Sequence, residues 1–202
     1  MGFKETALYR YVLSAIAHPR NFAFCVKYPF WKSRNVWSGR FLGYDSTMYD
    51  WIPDGWRKAF GKQLTEEIAD ALKKDGVRRG KWSKAVLLQD IKEKYGTLRI
   101  YAVAPQSVQW VLNKYECMSY GYCIDCGKPA RYMTRGYIAL LCEECAHKLA
   151  AGKYHHESDR LTKSDLPVYY SYDDSVEEVE MSAKDKYGID LEALWGISEE
   201  KD

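Results

Sequence analysis

Four cysteines constrain this chain more than any other feature. Cys123-x2-Cys126 and Cys142-x2-Cys145 stand 15 residues apart, the spacing of a structural zinc site. Two cysteines three apart on a tight turn can aim both thiolates at one tetrahedral ion. Gly127, directly after the first pair, lets the backbone make that turn without a Cβ clash. Between the pairs, Tyr132 to Thr134 and Tyr137 to Leu141 flank Arg135-Gly136, which reads as a hairpin turn. Two knuckles joined by a hairpin predict a zinc ribbon over 120–149. With all four positions filled by sulfur, no place is left for water, so the expected Zn2+, one per chain, is structural rather than catalytic. His147 lies close to Cys145 and is the one alternative ligand. Cys25 and Cys117 read as small buried apolar residues.

Disulfides are the competing reading, and they need an oxidising compartment. Lys4, Glu5 and Arg10 interrupt any signal-peptide core, and no apolar run reaches the roughly 18 to 20 residues of a membrane helix. The expectation is a soluble, cytoplasmic protein with no membrane contact. The charge is unevenly spread. Residues 1–100 carry 19 Lys and Arg against 10 Asp and Glu, whereas 154–202 carry 5 against 14. This divides the chain into a basic body (1–119), the ribbon (120–153) and an acidic C-terminal segment (154–202). Of the 202 residues, 15% are aromatic, enough to furnish a core and an interface as well.

The periodicities predict an α+β fold, with helices packed on a β-hairpin. Leu8, Tyr11, Val12, Ala15 and Ile16 have helical spacing over 6–18, with Pro19 as the stop. Residues 20–50 are aromatic-rich and irregular. Asp54 reads as the N-cap of a helix over 55–74, whose Trp56, Phe60, Leu64, Ile68 and Leu72 recur every fourth residue. Gly61 is a weak point in it. Leu98, Ile100 and Ala102 alternate with polar neighbours, which predicts a hairpin over 85–103 turning at Tyr95-Gly96. Ser107 reads as the cap of a short helix over 107–116. A last amphipathic stretch ends in Ile189, Leu191, Leu194 and Trp195.

No catalytic set emerges. Asp54 with Asp90-x-Lys92 is a weak match to a nuclease core, better explained as a cap and a wet hairpin face. His155-His156 follows the cysteines, but a His-Asn-His nuclease places its histidine between or close beside the knuckles, and the 15 intervening residues contain none. The chain reads as a binding protein, not an enzyme. Two patches could meet a partner: Arg78, Arg79, Lys81, Trp82 and Lys84, which combine cations with an aromatic as nucleic-acid grooves do, and Asp173, Asp174, Glu177 and Glu178, which could occupy a basic groove.

Trp51-Ile52-Pro53-Asp54-Gly55-Trp56, then Lys92-Glu93-Lys94-Tyr95-Gly96-Thr97-Leu98-Arg99-Ile100-Tyr101, then Cys123 to Gly127 and Cys142 to Cys145, resemble a layout of small bacteriophage and prophage zinc-motif proteins. In those, IPxGW, KEKFGxLRxY, CxxCG and CxxC follow in this order. The resemblance covers 50–147 and carries over only the four cysteines, as metal ligands. Through the similar metalloprotein type of anti-CRISPR, it implies a phage-encoded protein in a bacterial host. Such a protein would bind a defence protein, the RNA-guided nuclease of a type II CRISPR system, and block its loading of target DNA. The alternative is a zinc-ribbon nucleic-acid-binding protein.

Overall fold

In the computed structural model, which describes residues 6–134, 137–151 and 167–169, Pro19 begins a helix rather than ending one. Residues 7–17 are helical, wound as a π turn over Tyr9–Leu13 and as α1 over Ser14–Ala17. The backbone leaves the helical region at His18 and re-enters at once as α2, Pro19–Lys27. Proline at the first helical position sacrifices no hydrogen bond, because that N–H has no partner within the helix. The expected irregular stretch is therefore partly helical.

Its remainder folds by short contacts. A 3-10 turn spans Pro29–Trp31, antiparallel bridges join Lys32 to Thr47 and Arg34 to Phe41, and a second 3-10 turn spans Met48–Trp51. A capping box starts that second turn: Asp50 Oδ2 accepts from the Thr47 backbone N–H at 2.7 Å and from its hydroxyl at 2.8 Å. Trp31 is fully buried, and its indole N–H donates to the Thr65 hydroxyl at 3.1 Å.

Helix α3 runs over Asp54–Lys74. Its every-fourth-residue stripe from Trp56 to Leu72 is buried throughout, as that spacing requires of a helix with one apolar face. Pro53, not Asp54, holds the N-cap position, and no side chain caps the helix. Asp54 is the first helical residue and pairs with Arg57, favourable for an acid in the first turn. Gly76 closes the helix with φ +71°, the left-handed C-cap that glycine adopts freely. Gly61 is no weak point. A Cβ there would lie 2.4 Å from the Tyr49 hydroxyl oxygen, so the position makes room for that ring.

The hairpin pairs β1 (Leu87–Lys94) with β2 (Thr97–Val103). Tyr95 and Gly96 both have positive φ, +53° and +78°, as a two-residue type I′ turn requires. A short helix, α4, covers Trp82–Ala85, and α5 covers Gln106–Met118. Ser107 lies inside the first turn of α5 and donates to Asp75 Oδ2 at 2.5 Å. The Pro105 carbonyl instead accepts the N–H groups of Val108 and Gln109. The architecture is α+β.

Two compact units share the chain. One comprises Met1–Pro53, Phe60–Glu93 and Arg99–Leu112; the other comprises Asp54–Ala59, Lys94–Leu98 and Asn113–Asp202. This grouping cuts across the sequence-order division at 119/120, because the first turns of α3 and the hairpin tip go with the cysteines. The second unit contains β3 (Tyr132–Thr134), β4 (Leu140–Leu141), α6 (Glu143–Ala150) and β5 (Pro167–Tyr169). β3 and β4 form the expected hairpin, with Tyr132 opposite Leu141 and Met133 opposite Leu140. The third strand, β5, falls in the segment read as an acidic tail. It pairs antiparallel with the other edge of β3, giving the order β4-β3-β5. The Arg135-Gly136 turn and the stretch from Ile189 to Trp195 lie outside the described residues. Among the described residues no helix is long and apolar enough to cross a membrane.

Candidate metal centre

Each cysteine pair sits on a turn that its own backbone enforces. In the first, the Cys123 N–H donates to the Lys128 carbonyl at 2.8 Å, and the Gly127 N–H donates back to the Cys123 carbonyl at 3.0 Å. This tight knuckle needs Gly127 at φ +80°, a conformation costly for any residue with a Cβ. In the second, Cys142 follows β4 directly and is the N-cap residue of α6, and Cys145 stands in its first turns. The Ile124 N–H donates to the Leu140 carbonyl at 3.0 Å, tying the first knuckle to the strand that leads into the second.

The four sulfurs meet. All lie within 4.8 Å of one another, and Cys126 Sγ is 3.4 Å from Cys142 Sγ. Cys123, Cys142 and Cys145 are buried; Cys126 is half-buried. Among the described residues this is the one group of three or more possible ligands so arranged. The four thiols could hold a single metal ion.

Their acidities show why a cation suits them. Burial pushes the Cys123 thiol up to about 12, against the opposing pull of the N–H groups of Cys126, Cys142 and Asp125. Burial pushes Cys145 higher still, and charge on Cys123 adds to it. At Cys126 burial also acts upward. There the Lys128 N–H and the thiols of Cys142, Cys123 and Cys145 outweigh it, and the thiol is held below its usual value. Four anions in a dry pocket repel one another and lack solvent; a bound cation supplies both deficits.

A clasp outside the pocket links the two knuckles. Glu144 accepts from Lys128 at 2.8 Å and from Lys148 at 2.6 Å. The Lys128 hydrogen bond, followed by that of Lys148, holds the Glu144 carboxyl down at about 2. The clasp is complete above the usual carboxylate range and lost as pH falls through that value. Being exposed, it contributes little.

The first turn of α3 packs against the knuckle. The Gly55 N–H donates to the Ile124 carbonyl at 2.8 Å, and the Trp56 indole donates to the Tyr122 carbonyl at 3.0 Å. Gly55 carried no signal of this role in the sequence, because its partners lie some 70 residues on.

Other candidates fall elsewhere. His147 is exposed, meets the Tyr132 ring at a tilt and lies 3.8 Å from Glu143, so it takes no place among the sulfurs. Cys25 is buried and inert, its thiol pushed up to about 11 by that burial; Cys117 is half-buried. Asp90 and Lys92 pair with each other, and Lys92 lies over the Tyr101 ring. Asp173, Asp174, Glu177, Glu178, His155 and His156 lie outside the described residues.

Arg78, Arg79, Lys81 and Lys84 are exposed around one 3-10 turn, but Trp82 is not available to stack a base. It is 4% exposed, and its indole donates to the Val77 carbonyl at 2.8 Å. The sequence placed this tryptophan among cations; the fold turns it inward beside Phe30. Trp82→Ala should therefore destabilise the fold by about 3 to 5 kcal/mol, seen as a lower urea midpoint. Arg79→Glu should leave that midpoint unchanged.

No protein-family model, no curated protein and no solved structure matches this chain.

Proposed function

We propose that the four thiolates hold one zinc ion in a structural role, and that the protein acts by stoichiometric binding rather than by catalysis. The observation that carries this is the closed, all-sulfur donor set. A Zn–S bond of about 2.3 Å implies tetrahedral S–S edges of roughly 3.8 Å, and the four sulfurs already lie within 4.8 Å of one another. Four soft thiolates favour zinc over hard cations. They leave no position at which a water could be activated.

The partner we favour is a bacterial defence protein, the RNA-guided nuclease of a type II CRISPR system, met in the host cytoplasm by a phage-encoded inhibitor that blocks target-DNA loading. Its support is the phage-like layout over 50–147, together with exposed aromatics such as Trp51 and Trp110, which suit a protein interface. The nucleic-acid reading keeps four exposed cations but loses its stacking aromatic to the core. Titration against the purified nuclease tests the choice. An inhibitor reaches full effect near one copy per target and co-elutes with it. Cleavage that persists at large excess, with no complex on a sizing column, overturns the nuclease assignment.

A further inference from the structure

The helical stretch 7–17 is turned inside out. Leu8, Val12 and Ile16 recur at every fourth residue, the spacing of a core-facing stripe, yet all three are exposed, Ile16 by 71%. The inward side is small: Ala15 packs on the buried cluster of Cys25, Phe41 and Tyr44. Ser14 is 0% exposed, donating to the Arg10 carbonyl at 2.8 Å and accepting the Tyr44 N–H at 3.1 Å. Gly43 makes this fit possible, since a Cβ there would stand 3.2 Å from the Ser14 hydroxyl. The orientation is thus fixed by the Ser14 hydrogen bonds and the packing of Ala15, and the apolar stripe is left facing water.

A second apolar feature adjoins it. The loop between the bridged residues Arg34 and Phe41 ends in Val36 and Trp37, and Trp37 is 94% exposed. The loop is built, not frayed. The Asn35 side chain accepts the N–H groups of Trp37 and Ser38 at 3.1 and 2.9 Å, and Arg34 donates to the Gly39 carbonyl at 3.0 Å. Tyr11, on the outward side of the first helix, packs on Phe41 at the loop's base, with ring centroids 5.4 Å apart. Helix stripe and loop tip therefore belong to neighbouring surface.

Charge then says what covers this surface. Residues 6–45 contain six Lys and Arg and one acid, Asp45, which accepts from the Tyr9 hydroxyl at 2.7 Å and lies 3.0 Å from His18. A protein interface ordinarily has an apolar core depleted of charge and a polar rim. Here the apolar groups project outward, one of them an isolated tryptophan on a tip, and the formal charges along residues 6–45 are six positive to one negative. Apolar side chains projecting from a cationic surface are what an anionic bilayer interface selects. The aliphatic groups enter the acyl boundary, Trp sits at headgroup level, and Arg and Lys meet the phosphates.

We propose that residues 6–44 form a peripheral docking surface for an anionic lipid bilayer, with Leu8, Val12, Ile16 and Trp37 inserting and Arg20 and Lys27 among the cations at the headgroups. This departs from the sequence expectation of no membrane contact, goes beyond stoichiometric capture of a partner and stands or falls separately from it.

Vesicle flotation of the full-length, metal-loaded protein tests it. Vesicles of phosphatidylcholine containing about a third phosphatidylglycerol should carry the protein up, pure phosphatidylcholine vesicles should not, and about 0.5 M salt should weaken the attachment. Trp37→Ser and Ile16→Ser change exposed side chains, and each should weaken binding about tenfold at an unchanged melting temperature. Arg20→Glu should weaken binding to the anionic vesicles. Absence of flotation with both compositions overturns the proposal, as does retention of binding by Trp37→Ser and Ile16→Ser. A concentration-dependent dimer that Ile16→Ser abolishes also overturns it, assigning the stripe to a second copy. Nuclease titration does not enter any of these readouts.

Discussion

With the proposed zinc at the four thiolates, Cys142→Ser should lose the metal and unfold the described residues around it, roughly 122–134 and 137–150. Structural zinc in small sites contributes an apparent 10–16 kcal/mol or so, comparable to or larger than the whole stability of an ordinary domain, about 5–15 kcal/mol. Without the metal, short strand pairings and the contacts of the α3 start must hold this segment. β4 is two residues long and β3 three, and a short hairpin alone is marginal in water. Metal analysis should find about one zinc per chain in the wild type and none in the variant. Amide exchange should lose its protection around Cys123 and along α6. Acid should act in the same direction, because protons compete with the metal for thiolates. A serine variant that melts within a degree or two of the wild type and keeps its exchange pattern would exclude a structural role for the metal.

Gly55→Ala is expected to be strongly destabilising in its own right. Within a helix this change ordinarily stabilises by about 1 kcal/mol. At Gly55 a Cβ would lie 2.1 Å from the Cys123 carbonyl oxygen and 2.5 Å from the Ile124 carbonyl carbon and oxygen. All three are backbone atoms of the metal knuckle, so no side chain can swing away. The expected loss is about 3 kcal/mol or more, read from the urea midpoint, with metal retention falling alongside. Gly80→Ala is the matched control, since nothing lies within 4 Å of its added Cβ. If Gly55→Ala unfolds at the wild-type midpoint, the contact of the α3 start with the knuckle is not real.

Features set by near neighbours were readable in the sequence. The cysteine spacing, the stripe of α3, the Tyr95-Gly96 turn and the β3–β4 hairpin each depend on residues a few positions apart. The failures have two sources. Some local signals admit two meanings: Pro19 can stop a helix or start one, and only the helical residues after it decide. The Thr47-x-x-Asp50 capping box is likewise a local signal, set inside an aromatic-rich stretch that hides it. Others depend on distant groups. Asp54 looked like a cap because its neighbours could not reveal that the Ile124 carbonyl receives the Gly55 N–H. Periodicity found the stripe Leu8, Val12 and Ile16 but not its direction, which Gly43 and Tyr44 set through Ser14. Trp82 failed likewise: its company in sequence is cationic, its company in space is Val77 and Phe30.

The β4-β3-β5 sheet also imposes an order of events on a growing chain. β3 finds β4 within a hairpin, and both knuckles are complete once Cys145 has been made. Its other partner comes much later, since Pro167 lies 26 residues beyond Leu141. At a synthesis rate of about 5–20 residues per second, the second edge of β3 waits roughly one to five seconds for its strand. During that interval the unpaired edge can template pairing with another nascent chain. Early capture of the metal would hold the knuckles in register through the wait. On the proposed zinc reading, metal supply during translation, rather than after it, would help set how much chain reaches the native state.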